Sequence, residues 1–281
     1  MDVKTLSATP PWQWTSGAGK IFLDTLNNRQ ADPSDRLTAA ELAGDLVVMN
    51  EDLAAALLAI AGDGSEPEML RGKAAIGLGP VLAQADIELI DDEDFDDPES
   101  VPISLHTFRR IQDALRQLFL EESFPEEVRR RILEASVRAP REWHLEAIHA
   151  AYTSGSPDWK LTAVFSMRWV RGFDAQILES LKSADPNIHY EAVVAAGNWE
   201  LEAAWPHVVA LVEDPSTPKK LLLGAIEAVG NIRPGEASEV LDELLDSPDE
   251  EVSEAASEAV SMAQAMSGEG LDEDREGDWV N

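Results

Sequence analysis

Seven prolines recur along the 281-residue chain at nearly even intervals. Pro67, Pro98, Pro125, Pro157, Pro186, Pro215 and Pro248 are separated by 31, 27, 32, 29, 29 and 33 residues. Several follow an acid or a serine, as in Asp97-Pro98, Ser156-Pro157, Asp185-Pro186 and Asp214-Pro215. Proline suits the first turn of a helix, where its missing N–H has no partner to lose and its φ is preset. A proline-led helix returning about every 30 residues marks a repeat array.

The segments after these prolines share a plan. Pro67 leads through Leu70-Arg71 to Ala74-Ala75 and Gly77; Pro186 leads to Ala192-Val193 and Gly197; Pro215, after three extra residues, leads to Ala225-Ile226 and Gly230. Small residues about seven positions in predict close helix packing, and Gly197 and Gly230 are expected to end their helices as C-caps. A second helix follows each first one: Arg141 to Thr153, Phe173 to Ser183, Glu200 to Glu213 and Gly235 to Asp246 each carry apolar residues at helical spacing. Alternation of the kind strands require is confined to short stretches, so the expected class is all-α.

Asp-Pro, then Val128-Arg129 or Leu70-Arg71, then Ala-Ala, Gly and a second helix resembles the HEAT repeat, in the short form found in bacterial scaffolds and phycobilin-attaching lyases. The resemblance covers roughly residues 37 to 265. It implies a right-handed α-solenoid of about six helix pairs, one helix of each pair lining a concave face. It also implies a structural role for Arg71 and Arg129 near the inter-repeat turns. The expected domains are an N-terminal arm or cap (1–36), the solenoid (37–266) with an acidic insertion at 86–102, and an acidic tail (267–281). Pro98 then belongs to the insertion and not to the array.

A net charge of −32, from 54 acids and 22 bases, excludes a nucleic-acid-wrapping surface and opposes anionic membranes. The absence of cysteine removes disulfides and thiolate chemistry. The longest apolar run, Leu53 to Ala61, is too short to span a bilayer, and the first residues lack a signal pattern. A soluble, cytoplasmic protein is the expectation. The charge is uneven: residues 105 to 171 hold eleven bases against nine acids, whereas 236 to 278 hold sixteen acids and one base.

Motifs for chemistry are weak. Gly17-Ala18-Gly19-Lys20 has Trp14 and Ile21 where a phosphate loop needs glycine and a hydroxyl residue. His106, His144, His149, His189 and His207 show no metal-binding spacing within a helix, and Asp91 to Asp97 lacks the glycine and terminal glutamate of a calcium loop. No carboxylate pair stands out as an acid and base. The sequence therefore assigns no catalytic residue, cofactor or metal. Trp143 and Trp205 recur near the starts of second helices, and Trp169 and Trp199 near the ends of first ones, which favours a structural role between repeats over an aromatic groove.

The leading expectation is a noncatalytic scaffold or adaptor whose partner is another protein, with no nucleic acid and no membrane. The candidate contacts are Arg109, Arg110, Arg116, Arg141, His144 and Arg171, with Trp279 as a docking residue in the tail. Two alternatives stand beside it. One, implied by the resemblance alone, is a chromophore-lyase-like or chaperone-like accessory protein. The other is an acidic nucleic-acid mimic that occupies a basic protein.

Overall fold

A computed structural model of the chain describes residues 2–88 and 101–267. Pro98, Asp91 to Asp97, most of the acidic insertion and the tail with Trp279 lie outside the described residues. The described residues form helices and no strand. They divide into two compact units, Met1–Ala147 and Ile148–Asn281.

In the first unit, α1 (Val3–Ser7) and α2 (Ala18–Asn27) precede α3 (Pro33–Leu42) and α4 (Glu51–Gly62). Then come α5 (Glu68–Ile76), α6 (Gly79–Glu88), α7 (Leu105–Leu120), α8 (Glu126–Ser136) and the start of α9 (Trp143–Thr153). First helices stack side by side, α3 on α5 on α8, while α2, α4 and α7 form the second layer. The segment read as an arm joins both layers: α1 packs on α3 and α2 on α4. Trp14 fastens it, its Nε1–H donating to the carbonyls of Leu6 at 3.0 Å and Thr9 at 2.9 Å while its ring meets Phe22 edge-on. Phe22, Leu26, Leu53 and Leu57 are fully buried between the layers. Each such side chain contributes about 1.5–3 kcal/mol of burial.

The second unit repeats the plan with α10 (Pro157–Ser166), α11 (Asp174–Ser180), α12 (Pro186–Asn198), α13 (Trp205–Glu213), α14 (Lys219–Ile232), α15 (Pro234–Leu245) and α16 (Glu250–Ser267). Here α10, α12, α14 and α16 form the row of first helices.

Two expectations are corrected. Gly197 and Gly230 do not cap helices; they lie inside α12 and α14. A Cβ on Gly197 would sit 2.9 Å from the Cα of Ala228, and one on Gly230 would sit 3.2 Å from the carbonyl oxygen of Ala259. These glycines exist for contact between neighbouring first helices. Likewise Pro215 does not open a helix. Asp214 Oδ1 accepts from both the N–H and the hydroxyl of Ser216, Thr217 donates to the Leu211 carbonyl, and α14 begins only after Pro218. An Asp-x-Ser turn also caps α3, at Asp32–Ser34, and precedes α5, at Asp63–Ser65.

Three arginines bind successive pairs in the first unit. Arg36 donates to the Leu26 carbonyl at 2.9 Å, Arg71 to Ala61 at 3.2 Å and Arg129 to Phe119 at 2.9 Å. Each reaches ten residues back, to a carbonyl near the end of the preceding second helix that no intrahelical N–H can satisfy. The structural role implied for Arg71 and Arg129 therefore extends to Arg36. Arg36 also forms a two-pronged ion pair with Glu66, at 2.7 and 3.0 Å, with both side chains over nine-tenths buried.

Two outcomes follow in chemical unfolding. Gly197→Ala loses about 1–3 kcal/mol, because the methyl meets backbone that cannot swing away, whereas Gly235→Ala, whose Cβ meets nothing within 4 Å, is neutral or stabilising. Arg36→Met leaves Glu66 only the longer contact to Arg29, at 3.5 Å, and costs about 2 kcal/mol or more; Arg36→Lys restores part of that loss.

Candidate functional site

Helix α7 is amphipathic: Phe108, Ile111, Leu115 and Phe119 are buried, leaving Arg109, Asp113 and Arg116 exposed along one stripe. The spacing of four and then three residues aligns them on a single face. Beside this stripe a groove of about 550 Å³ opens between α7 and α9, lined by Gln112, Asp113, Arg116, Arg141, Glu142, Trp143 and Glu146. Trp143 opens α9, half-buried against the Phe119 ring at 5.3 Å.

The predicted contact residues divide sharply. Arg109 and Arg116 are exposed and form no ion pair among the described residues. Arg110 is exposed too, and its charge reaches Glu51 of α4. Burial raises the Glu51 pKa, but hydrogen bonds from Thr107 and Ser104, with the Arg110 charge, hold it below the usual carboxylate range. Arg141 is anchored: it donates to Gln112 Oε1 at 2.8 Å and lies 3.8 Å from Asp86. Arg171 belongs to the second unit, where it lies over the Trp199 ring at 4.4 Å. Trp279 is outside the described residues.

His144 does not belong with these surface contacts. It is 1% exposed, its Nδ1 accepts the Arg141 N–H at 2.8 Å and its Nε2 lies 3.0 Å from Ser136 Oγ. The first bond requires a bare Nδ1, so Nε2 carries the proton and donates to the serine. Burial lowers its pKa to about 4; the Arg141 backbone opposes the shift and the Arg141 charge adds to it.

The basic stretch is thus largely consumed within the fold. Arg130 pairs with Glu127, Arg131 with Glu127 and Glu134, Lys160 with Glu179 and Arg168 with Glu191. A count of charge along the chain cannot separate these residues from Arg109 and Arg116, because the partners are fixed by helix facing and helix stacking.

For Trp199 and Trp205 the aromatic expectation resolves toward structure. Trp199 Nε1 donates to the Met167 carbonyl at 2.6 Å, joining α12 to the end of α10, and Trp205 is buried under Arg233. One pair escaped the histidine survey: His189 on α12 and His207 on α13 meet Nε2 to Nε2 at 2.7 Å. Their partnership crosses two helices, so spacing within one helix carries no trace of it. Gly17 precedes α2, and Lys20 pairs with Asp24, an arrangement of an ordinary helix start and not of a phosphate cradle. Among the described residues no group of three or more metal-ligating side chains is assembled, and no helix is long and apolar enough to cross a membrane.

The stacked helix pairs, proline-led first helices and close Gly–Ala contacts of the second unit agree with a family match over residues 175–261. The family that matches there is described as HEAT repeats. Among solved structures, the chain is similar to human deoxyhypusine hydroxylase in complex with glycerol, at 17% identity over 94% of this chain and 88% of that one, with a TM-score of 0.41. It is also similar to YibA of Escherichia coli, at 12% identity over 88% and 94%, TM-score 0.46. The complex of CpcE and CpcF of phycocyanin lyase from Nostoc matches at 15% identity over 91% and 96%, TM-score 0.45. At these identities the likeness is of fold alone. No curated protein matches the chain.

His144 gives the chain a defined acid response. Its folded pKa lies below the ordinary value of 6.5, so the unfolded chain takes up the proton first as pH falls. Stability is complete above about pH 6.5 and declines toward pH 4, by about 3 kcal/mol in all. His189 and His207 are also lowered, first by burial, and act in the same direction. The difference between wild type and His144→Gln in denaturant midpoint against pH isolates the His144 share; the variant has the shallower acid slope.

Proposed function

We propose that the chain is a noncatalytic protein-binding module whose α7–α9 groove receives an acid-bearing segment of a partner protein. Arg109 and Arg116, exposed and without an ion pair among the described residues, carry this reading, Arg116 lining the groove with Trp143. An arginine without an internal partner keeps its five donors for a carboxylate arriving from outside. A half-buried tryptophan beside it offers a flat apolar surface already fixed by Phe119. The groove also holds Asp113, Glu142 and Glu146, so it rejects a segment that is acidic throughout and favours one with spaced carboxylates. Stacked helix pairs supply such surfaces without an enclosed pocket.

A photo-crosslinking residue placed at Glu146 in the groove, and at Glu239 on α15 as a control, tests this in native extract. A discrete adduct at position 146 that is absent at the control is the expected result. Arg109→Glu reduces capture tenfold or more, a change of about 1.4 kcal/mol or above, while Lys20→Glu, an equal charge change elsewhere, has little effect. Equal adduct patterns at both sites rule the groove out.

A further inference from the structure

The second unit carries a groove of different chemistry. It runs between α14 and α16, has a volume of about 580 Å³, and reaches Tyr190 of α12. Residues 251, 254, 255, 258, 259 and 262 of α16 line one side, at spacings that keep them on one helical face. Twelve residues of helix, from 251 to 262, make the trough about 17 Å long. Its lining includes Gly224, Ile226, Gly230, Ala255 and Ala259; Gly230 lets α14 approach α16 at Ala259, and Gly224 lets it approach α12 at Tyr190. Met262 stands at one end, 56% exposed, with Met266 beyond it at 59%.

The walls are acidic and unbalanced. Glu251 is held by Lys219 at 2.6 Å, but Glu227, Glu254 and Glu258 form no ion pair among the described residues. Elsewhere in the chain, a charged residue commonly meets its opposite about one repeat further on: Lys219 with Asp249, Glu202 with Arg233, Arg36 with Glu66. Glu227 and Glu258 stand 31 residues apart, at that same interval, and line one groove with like charge. Within α14 and α16 the only lysines are Lys219, in its ion pairs, and Lys220, over the Tyr190 ring at 4.1 Å.

We propose that this groove docks a cationic amphipathic segment of another protein, with Lys or Arg side chains against Glu227, Glu254 and Glu258 and an apolar side chain against Met262. Charge complementarity fixes the choice of occupant. A second copy brings a chain of net charge −32, and the acidic residues 268–278 would meet like charge. Nucleic acid and anionic lipid are repelled for the same reason. The trough length accommodates about three turns of helix, and a methionine at its end adapts to apolar side chains of different shape.

The test uses the full chain and a fluorescent twelve-residue helical peptide of Lys, Leu and Ala, followed by anisotropy at physiological salt. Two further peptides replace Leu by Ala or Lys by Glu. Saturable binding of the first peptide is expected, weakened tenfold or more by the double variant Glu254→Gln/Glu258→Gln and severalfold by Met262→Ala. Asp242→Asn/Glu243→Gln on α15 removes the same charge away from the groove and leaves affinity within twofold. The Lys-to-Glu peptide does not bind. Equal weakening by both double variants, equal binding of the Leu-to-Ala peptide, or no effect of Glu254→Gln/Glu258→Gln would each overturn the proposal. Circular dichroism of the variants separates lost docking from lost fold.

Discussion

Contact between neighbouring first helices is the constraint on which the rest depends. α12 meets α14 where Gly197 faces Ala228, and α14 meets α16 where Gly230 faces Ala259. No side chain stands between the backbones at these points. In the first unit Gly44 approaches the backbone of Gly77 in the same manner. Such contacts fix the distance from one pair to the next, because a closely packed row has no slack to redistribute. With that distance fixed, the second helices fall into place behind, and their apolar faces close on residues such as Leu57 and Val208. A larger side chain in the row would displace everything stacked beyond it.

The same spacing organises the charges. Arg36 meets Glu66, Lys73 meets Glu41, Arg233 meets Glu202 and Lys219 meets Asp249, each across 30 to 32 residues. One repeat in sequence is one helix diameter in space, so the repeat period becomes the range of ion pairing. These pairs differ in worth. Arg36–Glu66 is buried, and breaking it leaves Glu66 only the longer contact to Arg29; Lys219–Asp249 is exposed and screened. The three backward-reaching arginines of the first unit add a second use of the repeat, since each closes the end of the helix behind it. In the second unit Ser253 does comparable work, donating to the Leu245 carbonyl at 2.6 Å.

Much of this was legible in the sequence, and its failures share a cause. The proline interval and helical apolar spacing predict first and second helices, and residues 175–261 match the HEAT family. Arg71 and Arg129 stood out because they follow proline at equal distance; Arg36, three residues after Pro33, carries the same signal more faintly. Gly197 looked like a terminator because a glycine near the end of a helical pattern usually is one. Its real partner, Ala228, lies 31 residues away, and nothing local announces it. His144 looked available because a histidine near the start of a helix is usually exposed. Its burial depends on α8, through Ser136, and on the turn at Arg141. Local chemistry is visible along the chain, whereas contacts one repeat away require the register between helices.

That register also locates the surfaces with capacity left over. A stacked array neutralises charge wherever adjacent repeats present opposite signs at matching positions. Where they present the same sign, or where one side lacks a partner, the charge faces solvent without an internal counterpart. Glu227 and Glu258 are a pair of the first sort; Arg109 and Arg116 are of the second. Exposed charge alone does not distinguish them, since most of this acidic surface is exposed. The distinction is that such charges share a groove with apolar or aromatic surface, Glu227 and Glu258 with Met262 and Arg116 with Trp143, so an arriving segment can bury area while satisfying charge. Ion pairing on an open surface is worth little. Coupled to the exclusion of water by an apolar neighbour, the same charge selects its partner.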